Sequence, residues 1–290
     1  PLMKKLLTIM CIFIQSFSFA STHCESKDID ISSSKFSKHY LTFENFGYRF
    51  KGRCRGHSLV TQKTYYLMEF GKGENPYNCS KENFPFECQK LYFDKFADIF
   101  FNNKVVEIPG FDSLSDFSSV PYIEGLLKYH VRSIPTSFKT LEAKNRFLEN
   151  EENPSVAHFK EAVERVQEKQ KPYIAIASFW TGDHAVIGYK FVRDDSGFRL
   201  CVADPNIIPN QSRECLNYFY LGKYEKEITP IFPATEPTIQ ITDEVFYHKS
   251  TEEEPDRHLF KVRVYSEEDE RMDTYAKARH DYCLAKESIL

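Results

Sequence analysis

Cys54 is the residue of this sequence best suited to act as a nucleophile. It lies in the segment GRCRGHS, and the apolar residues that follow have helical spacing, so we predict a helix that begins near Cys54. The positive end of a helix dipole favours the thiolate, which is the nucleophilic form of cysteine. Gly52 and Gly56 would let backbone and substrate approach closely, and Arg53 and Arg55 add positive charge. The segment is also compatible with a structural or disulfide-bonded cysteine.

A histidine and an aspartate further along the chain could complete a catalytic set. His184 lies at the start of a predicted strand in the segment GDHAVIGY, where it could project into a cleft and act as a general base. Asp204 follows after a hairpin turn and a second strand, in the segment ADPN. Adjacent antiparallel strands would bring its carboxylate beside the imidazole, where it would fix the tautomer and stabilise the imidazolium. The alternatives are a packed or surface histidine and a simple Asp-Pro-Asn turn.

Together these segments resemble the papain-like cysteine peptidases, and most closely the bacterial secreted and effector members of that superfamily. Those proteins carry a Gly-x-Cys-x-Gly-x-Ser nucleophile turn, a Gly-x-His-Ala-Val-x-x-Tyr strand and an Asp-Pro-Asn strand end. The corresponding segments here are 52–58, 182–189 and 204–206. The resemblance covers motifs near residues 46–70 and 172–210.

The resemblance implies both a fold and a mechanism. The implied fold is α+β and papain-like, with an N-terminal helical part whose nucleophile helix packs on a C-terminal antiparallel β-sheet. The implied roles are nucleophile for Cys54, general base for His184 and orienting group for Asp204. The reaction would be hydrolysis of a protein or peptide substrate through a thioester acyl-enzyme, with no cofactor and no metal.

The predicted oxyanion hole departs from the family pattern. Plant-type papains have a Cys-Gly-Ser-Cys-Trp signature and a Gln six residues before the nucleophile, whereas position 48 here is Tyr. The backbone N–H of Cys54 is one candidate donor, and Asn45 and Asn206 are candidates for the oxyanion or auxiliary role. Loss of a second donor would lower the rate by about 100- to 1000-fold.

Three other functions remain open from the residues alone. Cys54, His57, His184 and Asp204 are acceptable zinc ligands, but Cys54-x-x-His57 lacks a second closely spaced pair, and His57 is better explained as a packed or solvent-facing helix residue. Transglutaminases and deamidases use Cys, His and Asp in the same chain order and form the same thioester. A secreted interaction protein could keep the fold without catalysis.

The elements that would position these residues follow an α+β order, with helices first and an antiparallel sheet second. We predict helices from Cys54 to Phe70 and at 86–101, 121–131, 137–150, 155–170 and 267–286. We predict strands at 173–180, 184–192, 198–203, 215–221, 226–232, 238–247 and 259–265. The hydrolase domain would span 46–290 with a helical insertion at about 75–170, preceded by a loosely held, Ser-rich arm at 21–45.

The N-terminal residues have the pattern of a secretory signal. Met3-Lys4-Lys5 precedes the apolar run LLTIMCIFIQSFSF, and small residues precede a cleavage site expected after Ala20. We therefore predict a signal peptide at 1–20 and export to the periplasm or medium.

Export would place the cysteines in an oxidising compartment. Of the eight cysteines, Cys11 would leave with the signal peptide, so seven remain, and an odd number suggests one free thiol beside up to three disulfides. Fifteen connectivities are possible for six cysteines, and the pairing that we favour is Cys79–Cys88, Cys201–Cys215 and Cys24–Cys283.

Composition narrows the range of partners. The chain is 41% hydrophobic and 28% charged, which suits a globular protein with a sizeable core. Its formal net charge is −4, so it lacks the basic excess of a nucleic-acid-binding surface. Beyond the signal, no segment is long and apolar enough to predict stable membrane insertion.

Overall fold

A computed structural model gives the structure of the protein. It describes residues 37–43, 53–135, 154–169, 173–179, 182–205, 215, 218–222, 228–231, 260–264 and 268–288. The predicted signal peptide, the helix predicted at 137–150 and the strand predicted at 238–247 lie outside these residues.

The described helices lie close to their predicted positions, except for a short helix at Leu114–Ser118 that the sequence did not predict. They are α1 Cys54–Leu67, α2 Phe86–Phe100, α3 Leu114–Ser118, α4 Pro121–Ser133, α5 Pro154–Lys169 and α6 Glu268–Glu287. Helix α1 begins at the predicted residue but ends three residues early. The chain then forms a strand instead of a further helical turn, and the backbone N–H of Gly71 just beyond it donates to the carbonyl oxygens of Ile108 and Phe111.

The strands that the structure describes form two sheets. They are β1 Met68–Phe70, β2 Val106–Ile108, β3 Tyr173–Phe179, β4 Gly182–Asp194, β5 Gly197–Ala203, β6 Tyr218–Gly222, β7 Ile228–Ile231 and β8 Phe260–Val264. Strands β1 and β2 pair in parallel, which the sequence did not predict. The other six form an antiparallel sheet in the order β7-β6-β5-β4-β3-β8. The α+β class predicted from the sequence is confirmed.

The antiparallel sheet has a helix against each face. Ala185 and Ile187 of β4 belong to the same core as helix α1, whereas Val186 between them belongs to a second core with Val156 and Phe159 of helix α5. This alternation is the period-two pattern of a strand that is buried on both faces.

Helix α1 is the central element of the larger core. All of its residues except Lys63 are buried, although many of them are polar. The buried polar side chains form hydrogen bonds: Ser58 Oγ donates to the carbonyl oxygen of Ala185 on β4 at 3.1 Å, and Thr64 Oγ1 donates to the carbonyl oxygen of Thr61 at 2.9 Å. These bonds offset the cost of removing hydroxyl groups from water.

Helix α6 packs against the C-terminal end of α1. Arg279 Nη1 donates to the carbonyl oxygen of Tyr66 at 2.9 Å and to Glu69 Oε1 at 2.7 Å, and both charged side chains are buried. The ring of Tyr275 stacks on that of Tyr66 at 5.5 Å. The last described helix is therefore anchored to the first by a buried ion pair and an aromatic contact.

The expectation of a loosely held N-terminal arm is wrong for the part that the structure describes. Residues Tyr40, Leu41 and Phe43 are buried in the core that contains helix α1. The backbone N–H of Thr42 donates to Ser118 Oγ at 3.1 Å. Apolar side chains in an otherwise polar segment give it a surface that can pack, so it covers part of helix α1.

The predicted disulfide pattern is confirmed for two pairs. Cys79 is bonded to Cys88 and Cys201 to Cys215. Cys283 is also in a disulfide, and Cys24, its predicted partner, lies outside the described residues. Disulfides are typical of proteins that fold in oxidising compartments. None of the helices that the structure describes is both long enough and apolar enough to cross a membrane.

Gly56 fixes the distance between helix α1 and helix α4. A Cβ atom at this position would lie 2.4 Å from the carbonyl oxygen of Val131, a backbone atom that cannot move without shifting α4. In its described surroundings Gly56 thus allows the close approach of another backbone, which is one of the two roles that the sequence suggested for it. We expect Gly56→Ala to lower the free energy of unfolding by about 1–3 kcal/mol, measured by urea denaturation.

Gly125 provides a matched control within helix α4. Among the described residues, a Cβ atom at Gly125 would meet nothing within 4 Å, so Gly125→Ala should gain helix propensity and stabilise the protein by up to about 1 kcal/mol. Equal effects of the two substitutions would contradict the packing role of Gly56.

Candidate active site

Cys54 is the first residue of helix α1, and its sulfur faces strand β4. The backbone N–H of Ala185 points at Cys54 Sγ over 3.5 Å, and the backbone N–H of Arg55 also donates to the sulfur. Cys54 is 6% exposed, and among the described cysteines it is the one that is not in a disulfide. The sulfur therefore lies at the start of a helix and beside a strand, where backbone dipoles favour the thiolate.

The hairpin of strands β4 and β5 brings His184 and Asp204 together. Its turn is held by Asp194, whose Oδ1 accepts hydrogen bonds from the backbone N–H groups of Ser196 and Gly197 at 2.9 and 3.1 Å. The register of the two strands places Ile187 opposite Ala203. Asp204, the residue after β5, therefore lies near the first residues of β4, which include His184.

His184 Nε2 and Asp204 Oδ1 are 2.8 Å apart. The Asp204 side chain is 1% exposed and the His184 side chain 12% exposed. With Nε2 engaged by Asp204, Nδ1 is the ring nitrogen left for the side-chain hydrogen bond between His184 and Cys54. The structure thus brings together the three residues that the sequence singled out, in the order thiol, imidazole, carboxylate.

Cys54 and His184 each shift the pKa of the other. Burial alone would raise the pKa of the Cys54 thiol, but the hydrogen bond to His184 and the charge of its ring lower that pKa overall. Burial alone would lower the pKa of His184, but the charge of Asp204 and the hydrogen bonds to Asp204 and Cys54 raise it well above its usual value. Both shifts favour a thiolate–imidazolium pair over a neutral thiol and imidazole.

Of the three candidate donors for the oxyanion hole, the structure describes the one from Cys54. Asn45 and Asn206 lie outside the described residues. Cys54 is the first residue of α1, so its backbone N–H lies outside the hydrogen-bond ladder of the helix, and its role as an oxyanion donor stays a prediction. Arg55, predicted to add charge at the site, instead extends its guanidinium to the carbonyl oxygen of Pro135 at 2.8 Å.

His57 is a packed residue, as one of the two sequence interpretations held. It is fully buried, and its Nε2 lies 2.9 Å from the carbonyl oxygen of Phe43, so it serves to hold residues 37–43 on helix α1. Within the described segments, no group of three or more His, Cys, Asp or Glu side chains is arranged to hold a metal ion. The zinc alternative has no support from this part of the chain.

Two tyrosines were given no role by the sequence analysis. Tyr40 is 2% exposed, and its pKa is raised first by burial and then by the negative charge of Asp204. Tyr189 lies at a bulge in β4, and its hydroxyl accepts from the backbone N–H of Cys215 at 3.3 Å. Tyr189 was part of the strand motif, whereas nothing local in the sequence marks Tyr40.

Comparisons of this chain with protein-family models, with curated proteins and with solved structures find no match.

The coupling of Cys54 and His184 predicts an unusual pH dependence of thiol alkylation. The lowered pKa of Cys54 keeps its thiolate present below the ordinary thiol pKa of about 8.5, and the reactivity should be lost only as the pH falls through that lowered value. Iodoacetamide labelling of Cys54, followed by mass spectrometry, should show this. In His184→Ala the profile should move up towards that of an ordinary thiol, and Cys54→Ala should remove the label. Identical profiles in the wild type and His184→Ala would contradict the coupling.

The burial of His57 predicts a different, structural pH effect. Burial lowers the pKa of His57 from 6.5 to about 4. Between these values the unfolded chain binds a proton that the native state does not, so stability falls by about 3 kcal/mol as the pH is lowered from 6.5 to 4. His57→Gln, whose amide can still donate to Phe43, should lose this part of the pH dependence in urea unfolding.

The exposed His280 on helix α6 supplies the control for that experiment. His280→Gln should keep the pH dependence of the wild type. If His57→Gln keeps it too, His57 is not buried as a neutral ring.

Proposed function

We propose that this protein is an exported cysteine hydrolase with a papain-like fold, a peptidase or amidase that acts through a thioester at Cys54. The observation that carries the proposal is the chain of contacts from Cys54 through His184 to Asp204, in which the thiol pKa is lowered and the imidazole pKa is raised. A structural cysteine needs no such partner.

The fold gives separate support to the papain-like assignment. A buried helix carries the nucleophile at its first residue, and an antiparallel sheet packed against that helix carries the base on one strand and the carboxylate at the end of the next. The secretory pattern of residues 1–20 and the disulfides are consistent with export.

The proposed reaction has two halves. The Cys54 thiolate attacks the carbonyl carbon of a peptide or amide, and the His184 imidazolium gives its proton to the departing nitrogen, which leaves a thioester. His184, now neutral, then takes a proton from water as the water attacks the thioester. The products are a carboxylic acid and the restored thiolate–imidazolium pair. Asp204 orients the ring and stabilises its charged form throughout.

Variants of the three residues test this mechanism. In a digest of a complex peptide mixture, Cys54→Ala should abolish the appearance of new peptide termini, and His184→Ala should lower it by about 1000-fold or more, because such groups act as a unit. Asp204→Ala should retain measurable activity, because the carboxylate orients the base and does not itself transfer the proton. His280→Ala is the control for removal of an exposed histidine.

The same experiment separates the related chemistries. New termini indicate hydrolysis of the peptide bond, whereas release of ammonia without cleavage indicates a deamidase and cross-linked products indicate acyl transfer. A chelator should leave the activity unchanged if thiolate and imidazole are sufficient. Cleavage that persists in Cys54→Ala would refute the proposal, and ordinary thiol reactivity with no product of any kind would leave a non-catalytic interaction protein as the better description.

A further inference from the structure

A cavity of about 540 Å³ lies on the side of helix α1 away from strand β4. Its walls come from α1, from the end of α2, from α4 and the residues after it, and from the start of α6. Cys54 and Ser58 face the strand, whereas Arg55, Leu59 and Lys63 lie at successive four-residue intervals along the stripe of α1 that lines the cavity. The volume lies within the range of small-molecule sites.

Three basic side chains line this cavity: Arg55, Lys63 and Arg271. Arg55 is 9% exposed and Lys63 is half-buried, so these charges have lost part of their hydration. Lys63 Nζ donates to the carbonyl oxygen of Phe100 at 2.9 Å, a neutral acceptor. Glu270 is the lining residue that carries a carboxylate, and it is exposed.

The electrostatics show that the cations act on one another. Burial and then the charge of Arg271 lower the pKa of Lys63 to about 8. Burial and then the charge of Lys63 lower the pKa of His130, which also lines the cavity, to about 4. Lys63 and Arg271 therefore repel each other, and an anion bound near both would reduce that repulsion.

We propose that this cavity binds a small molecule that carries a phosphate group. Two guanidinium groups and an ammonium group match the charge and the several acceptor oxygens of a phosphate monoester better than those of a single carboxylate. The cavity is larger than a phosphate ion, and Leu59 and Tyr275 add apolar wall to it, so the rest of the ligand is apolar or aromatic.

A ligand in this position would bridge helix α1 and helix α6. Lys63 belongs to the helix that begins at Cys54, and Arg271 belongs to the helix that Arg279 anchors to Glu69. The site is distinct from the Cys54–His184–Asp204 group, and the proposal does not depend on hydrolase activity.

Calorimetric titration of the full protein with phenyl phosphate, inorganic phosphate and phenol tests the proposal. We expect saturable binding of phenyl phosphate, weaker binding of inorganic phosphate and none of phenol, at constant ionic strength set with sodium chloride. Lys63→Met and Arg271→Gln should each weaken the binding of phenyl phosphate by about tenfold or more, as expected for loss of a charge-assisted hydrogen bond.

Lys277→Met on helix α6 is the matched control, because it removes an exposed charge outside the cavity and should change the affinity less than about threefold. Circular dichroism verifies that each variant is folded, and Arg271→Gln changes a half-buried side chain if Lys63→Met proves unstable. The proposal is overturned if phenyl phosphate does not bind saturably or if phenol binds as tightly as phenyl phosphate. It is also overturned if the control variant loses as much affinity as the cavity variants.

Discussion

The burial of helix α1 on every side is the constraint on which the rest of the structure depends. Strand β4, helices α4 and α6 and the segment 37–43 all pack against it, and Lys63 is its one residue outside the buried set. A helix held in this way cannot rotate or slide without breaking contacts in several layers at once. Its first residue therefore has a fixed position relative to β4, which is what a site built from a helix terminus and a strand requires.

The same burial explains how the candidate site can hold charge. Removing a thiolate and an imidazolium from water costs several kcal/mol per ion, so an isolated buried pair would revert to its neutral form. Here the sulfur accepts from the backbone N–H groups of Ala185 and Arg55, and the ring is supported by the buried carboxylate of Asp204. Backbone dipoles and a carboxylate, fixed by the fold, replace the lost hydration.

Helix α1 presents two kinds of chemistry on two of its sides. The side with Cys54 and Ser58 meets the sheet, and the side with Arg55 and Lys63 meets the cavity beneath helix α6. The polar residues on these two sides explain why the sequence of this central helix is not mainly apolar. Ser58 and Thr64 donate to backbone carbonyl oxygens, so these polar groups of the helix stay hydrogen-bonded although they are buried.

The sequence by itself determined the elements whose signals are local. The start of helix α1 at Cys54, the hairpin around Asp194–Gly197 and the pairing of Cys79 with Cys88 all follow from periodicity, turn residues and short spacing. The candidate site was predictable for the same reason, because His184 and Asp204 lie on neighbouring strands of one hairpin. The resemblance to a known superfamily then indicated which cysteine belonged with them.

Only the tertiary structure decided the contacts between parts distant in the chain. Segment 37–43 packs on His57 of helix α1, and Gly56 meets the backbone of Val131. Strand β8 pairs with β3 rather than with β7, which precedes it among the described strands. Such contacts depend on which surfaces remain unburied after the local elements form, and a linear pattern does not record that. The cavity between α1 and α6 is of this kind, because nothing in the sequence indicates that Lys63 and Arg271 line the same cavity.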